Sequence, residues 1–228
     1  VGCSVTDFAS TLGYTEWNGF TSSNVTGASD LAPIDEQIAM LMNLIPDVQK
    51  VGILYCSAEP NSIYQSELAQ AELDKAGVAW AEYTAADSNE VQSVVTKAIS
   101  ECDVLYVPTD NTMANNTEII KNVAVPAGVP VIAGEEGICS GCGVATLSIS
   151  YYQLGAKAAE KRKDPAGGYL AFDRGFCRSG GVLSEGKWVS IFGGAAYCWG
   201  SCWRERSGSA LAWKRPTHRF GICCIRHR

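Results

Sequence analysis

The first 158 residues contain no histidine, and they hold only five of the chain's eighteen lysines and arginines. Without histidine, neither a Ser-His-Asp nor a Cys-His couple can form in that stretch. No GxGxxG follows a strand pattern and no GxxxxGK[ST] occurs, so the dinucleotide and P-loop fingerprints are absent. Asp110 has no lysine or second carboxylate near it in sequence with which to hold magnesium. Glu135 and Glu136 are adjacent, so in an extended segment they point to opposite sides and make a poor acid–base pair. No catalytic residue, metal or cofactor is therefore expected. No apolar run approaches the ~18 residues needed to cross a bilayer. The opening residues lack a basic stretch followed by an apolar one, so no signal peptide is expected within this chain. Val1 opens the sequence as if inside a structural element, which predicts an incomplete chain.

What is present divides in two. Residues 1–158 carry 19 acids and 5 bases, and residues 159–228 carry 5 acids and 13 bases, so −14 and +8 combine to the overall −6. Both histidines and four of the six tryptophans also fall in the last stretch. A basic tail usually serves nucleic acid or membrane. This one instead mixes CWGSCW and GICCIRHR with many glycines, and its periodicity fits neither helix nor strand except over WVSIFGGAAYCW. High Arg, Trp, Gly and Cys together suit an out-of-frame reading of a GC-rich gene, with the join near residues 160–165. His218 and His227 with Cys223 and Cys224 match no zinc spacing. No nucleic-acid partner is expected.

The body alternates. PIDEQIAMLMNLI places Pro33 at a first helical position and Ile34, Ile38, Leu41 and Ile45 on one face. VGILYC is a short continuous apolar run, as a parallel strand covered on both faces requires. NSIYQSELAQAELDKAG predicts a helix capped by Asn61 or Ser62 and stopped by Gly77. VAWAEYT, DVLYVP, VPVIAG and VATLSIS read as further strands. SNEVQSVVTKAIS and NTMANNTEIIKNVA read as helices between them, and another helix starts at Tyr151. The fold class expected is α/β, a parallel doubly wound sheet. GICSGCG contains a C-x-x-C, Cys139 and Cys142. It is expected to be a tight turn with a possible local disulfide, since redox motifs of this kind open a helix.

In such sheets ligands sit beyond the carboxyl ends of the strands. Three polar loops lie there: 56–62, 108–112 and 133–137. Ser57, Asn61 and Ser62 stand at a helix start, where free amides and the helix dipole favour a carboxylate. Asp110 suits an ammonium, and Thr109 and Asn111 supply neutral hydrogen bonds. A small zwitterion would use all of these. The plainer alternative makes Ser62 and Asn111 helix caps and Asp110 a turn residue.

SVTD (4–7), NVTGASDLAP (24–33), VGILYCSAEPNS (51–62), YVPTDNTMA (106–114), VPVIAGEEG (129–137) and ATLSISYYQLG (145–155) follow in order. Over residues 4–160 the chain resembles the ABC transporter substrate-binding lipoproteins that include tryptophan- and tyrosine-binding members. The resemblance implies one lobe of a type I periplasmic-binding-protein fold, with an amino-acid ligand, aromatic favoured, clamped between two lobes. It implies no enzyme, an ABC permease as partner, and an extracytoplasmic, membrane-anchored parent protein. Residues 1–30 would be a remnant of the first lobe and its crossover, and 31–150 the ligand-binding second lobe. Residues 151–160 would start the returning helix, and 161–228 depart from the pattern. The ligand contacts implied are Thr6, Asp7, Ser57, Glu59, Asn61, Ser62, Thr109, Asp110 and Asn111, with Glu135 or Glu136 nearby. The rival reading is the effector-sensing domain of a transcription regulator, which shares the two-lobe architecture.

Overall fold

The computed structural model describes residues 1–16, 24–162 and 190–191. In chain order its elements begin with β1 (Gly2–Cys3), α1 (Phe8–Thr11), β2 (Gly27–Ala28), α2 (Ile34–Leu44), β3 (Lys50–Cys56), α3 (Pro60–Ala76), β4 (Ala79–Ala85) and α4 (Val91–Glu101). There follow β5 (Val104–Val107), α5 (Asn111–Asn115), α6 (Thr117–Ala127), β6 (Val131–Ala133), α7 (Glu136–Cys142), β7 (Ala145–Thr146), α8 (Tyr151–Arg162) and β8 (Ser190–Ile191). The described residues form two compact units, 1–32 with 148–162, and 33–147 with 190–191. The expectation for the tail otherwise lies outside the described residues. Among those residues no helix is long and apolar enough to cross a membrane.

In the smaller unit, β1 pairs in parallel with β2. The Asp7 carboxylate accepts from the Ala9 and Ser10 amides and so caps α1. Leu154 and Ala158 of α8 pack with Ala28 and Ile149 in a small apolar cluster.

The larger unit is built on a sheet ordered β4-β3-β5-β6-β7-β8. β4 to β7 run parallel, and Ser190–Ile191 pairs antiparallel with β7. The apolar runs of β3 and β5 are buried throughout apart from Lys50, as strands with helices over both faces must be. Alternation along β5 sends Leu105 and Val107 into a core with Val91, Val95, Ile120 and Ile138 of α4, α6 and α7. Tyr106 points the other way, and its hydroxyl donates to Gln37 Oε1 of α2 at 2.6 Å. Each such buried aliphatic contributes about 1.5–3 kcal/mol over its exposed state. The expected doubly wound α/β class is what the structure shows.

Details differ from the sequence reading, each for a local reason. Pro33 is the cap of α2 rather than its first residue. α3 starts at Pro60, with Glu59 at the cap and not Asn61 or Ser62, because proline's fixed φ and missing N–H suit the first helical position. The helix expected over 111–124 is two helices. Asn116 breaks it at φ −120° and ψ 21°, with Nδ2 donating to Thr112 O and Ser88 Oγ. The strand expected over 144–150 shrinks to Ala145–Thr146. GICSGC is not a turn: Cys139 and Cys142 lie on α7, buried and unbridged. That helix forms because the Glu135 carboxylate accepts from the Gly137 and Ile138 amides and caps its start. Burial pushes both thiols up, Cys142 to about 12, so neither is a ready nucleophile.

Candidate functional site

The sheet reverses its winding between β3 and β5: the chain steps outward from β3 to β4, then returns to add β5, β6 and β7 on the other side. That is a topological switch point, the place where open α/β sheets leave a crevice at the strands' carboxyl ends. The loops after β3 and β5 flank it, and the loop after β6 lies beside them.

Two acids knit the first two loops together. From the start of α5 the Glu59 carboxylate accepts four hydrogen bonds: from the Asn111 amide at 3.0 Å, Asn111 Nδ2 at 2.9 Å, the Thr112 amide at 2.9 Å and Thr112 Oγ1 at 2.8 Å. Burial alone would push this carboxyl up, but the four donors outweigh it and hold it below its ordinary value. Asp110 lies 2% exposed, and its two oxygens accept from the Cys56 amide and the Met113 amide, each at 2.7 Å. Burial raises its pKa; those amides and the buried Ser62 hydroxyl lower it, and the Glu59 charge raises it. Among the described residues no ion pair involves either acid. Helix-start amides supply the positive partial charge instead.

This arrangement revises one role. The first three amides of α5 are taken from within the protein, by Glu59 and Asp110. Both Asp110 oxygens are likewise engaged from within the protein, and the side chain to which the sequence reading assigns an ammonium is 2% exposed. Its place is that of a fastener between β3 and α5. Ser62 serves it. Glu135 caps α7. Ser57 is exposed just beyond β3, with its amide on Ala85 O. Asn61 Nδ2 donates to Thr109 O at 3.2 Å and lies within reach of Glu59 and Ser62. Asn111 is exposed. The Thr109 hydroxyl is buried with no hydrogen-bond partner among the described residues.

Thr6 and Asp7 belong to the smaller unit. There Thr6 Oγ1 donates to Asp30 Oδ1 at 2.8 Å, and Ser29 Oγ donates to Thr6 O at 3.2 Å. Asp30 is buried, which raises its pKa. It went unremarked as a site residue, although it sits in the quoted NVTGASDLAP stretch. Gln37 and Gln65 were missed altogether. The Gln37 amide donates to Gly134 O at 2.9 Å and Leu147 O at 2.8 Å, tying α2 to the ends of β6 and β7.

Comparison with known proteins fits this geometry. A profile of the ABC transporter substrate binding protein family matches residues 3–163. The chain belongs to that family. A tyrosine-binding protein of Clostridioides difficile is 35% identical over 137 residues, covering 60% of this chain and 40% of the relative. The chain thus spans about two fifths of the length of that curated relative. An ABC domain from Streptococcus pneumoniae, solved in complex with L-Trp, superposes with a TM-score of 0.71 at 25% identity, covering 87% of this chain and 67% of the other. A ligand-free, open substrate-binding protein with adhesive properties from Clostridium difficile gives 0.65 at 26% identity, with 86% and 65% covered.

Proposed function

We propose that the chain is part of the solute-binding component of an ABC importer, and that its larger unit is the second lobe of a two-lobed protein that takes a free amino acid, aromatic favoured. The observation that carries this reading is the switch-point edge, where Glu59 and Asp110 fasten the loops after β3 and β5 to each other beside the exposed Ser57 and Asn111. A preorganised loop loses little freedom on binding, which favours affinity. Family membership favours transport over gene regulation. The relatives whose names mention tyrosine or L-Trp favour an aromatic ligand. The parent would work outside the cytoplasm, anchored to the membrane, and hand its ligand to a permease.

Calorimetry on the two-lobed parent with L-tryptophan, L-tyrosine, L-phenylalanine and L-leucine tests the reading. Heat of binding is expected with one or more of the aromatic three and less with leucine. A parent that stays silent to every amino acid would sink it.

A further inference from the structure

Gln65 sits on the second turn of α3 and is 1% exposed, an uncommon place for a neutral amide. Two of its three hydrogen bonds go to the Thr109 backbone and one to the first turn of its own helix. Nε2 donates to Thr109 O at 3.1 Å and to Asn61 O at 3.1 Å, while the Thr109 amide donates to Oε1 at 3.3 Å. One side chain therefore satisfies both backbone groups of Thr109, as a neighbouring strand would. Asn61 Nδ2 adds a second donor to the same carbonyl.

The opposite side of this peptide is closed by Gly134. A Cβ there would stand 2.7 Å from Thr109 N and 2.8 Å from Pro108 C, and the Gly134 amide donates to Val107 O at 2.7 Å. Thr109 is thus gripped by α3 on one side and by the β6 end on the other. Its hydroxyl is buried without a hydrogen-bond partner among the described residues.

We infer that Gln65 is a positioning residue for ligand binding: it fixes the Thr109 backbone and, through it, the loop edge that carries the exposed Asn111 toward the amino acid. Gln65 need not touch the ligand. The inference rests on the binding reading of this edge. Its mechanism is loss of preorganisation, since a loop that must be ordered on binding weakens affinity without any contact being deleted.

Two variants test it. Gln65→Met keeps the length and apolar stem and removes all three hydrogen bonds. Gln65→Glu keeps an acceptor for the Thr109 amide and removes the donor. Residue-resolved hydrogen exchange on the 228-residue chain is the first readout. In Gln65→Met the Thr109 and Asn111 amides are expected to exchange about tenfold faster or more, while amides in β3 and β6 keep their rates. Affinity of the two-lobed parent for L-tryptophan and L-tyrosine is the second, with about a tenfold loss expected in Gln65→Met and a smaller one in Gln65→Glu. Unchanged Thr109 exchange overturns the inference. So does faster exchange with unchanged affinity. Should Gln65→Met not fold, Gln65→Glu is read by the same two measurements. A wild-type parent that binds no amino acid defeats the binding reading itself, whereas a binding parent whose Gln65 variants bind equally well defeats only the role of Gln65.

Discussion

Asp110 and Glu59 look alike in sequence and act with opposite sign. Asp110 is buried and its pKa is raised, so its carboxylate is retained for three donors rather than for its charge. Asp110→Asn leaves one oxygen and turns an NH2 toward a backbone amide that has lost its acceptor. A loss of about 1–3 kcal/mol is expected, read from the urea unfolding midpoint; an unchanged midpoint would mean that it fastens nothing. Glu59 has a folded pKa below its ordinary value near 4.5. A lowered carboxyl contributes stability above the unfolded pKa and loses it as pH falls through the folded one. Glu59→Gln should therefore be less stable than wild type at neutral pH, and the gap should close as pH drops below about 4.5. Asp110 works the other way, adding relative stability as acid protonates it, so the wild-type acid curve alone would blur the two. The difference between wild type and Glu59→Gln isolates the latch, and a gap that stays constant with pH would rule it out.

Among the elements, strands were the most legible. β3 and β5 are buried on both faces, and such strands show as unbroken apolar runs; α4 showed because Val91, Val95 and Ala98 repeat at helical spacing and are all buried. What stayed hidden was whatever depends on partners distant in sequence. Glu59 caps a helix that begins 52 residues later, and no local pattern encodes that. Gln37 and Gln65 stayed hidden because a buried glutamine is marked by its partners, not by its spacing. Cys139 and Cys142 read as a turn because the flanking glycines outweighed the cap that Glu135 provides. Gly134 teaches the same lesson. Nothing in the 133–137 loop marks it, yet it is needed because backbone lies where its side chain would be. Gly134→Ala forces the Pro108–Thr109 peptide aside and is expected to destabilise by about 1–3 kcal/mol. Gly77→Ala, strained only by its left-handed φ of 70° in open space, should lose nearer 1 kcal/mol. Thermal unfolding of the two variants ranks them, and the reverse order would mean the loops have room to give.

At the scale of the whole chain, two boundaries coincide. Charge, aromatic content and periodicity all break near residue 160, and the family match ends at residue 163. The acidic body has the alternation of a folded α/β lobe up to α8; the basic stretch beyond is rich in arginine, tryptophan, glycine and cysteine. We propose that the reading frame shifts here. A frame change preserves the gene's nucleotides while scrambling its residues, so the lost sequence should still be written in the DNA. Translating the same bases in the other two frames is expected to extend YYQLGAKAAE as an amphipathic helix, with apolar residues continuing the Leu154–Ala158 stripe at intervals of three and four. A strand-like apolar run should follow, as the return to the first lobe requires. If neither frame continues the stripe, the tail is a true part of the gene, and its tryptophans, cysteines and arginines would then need a role of their own.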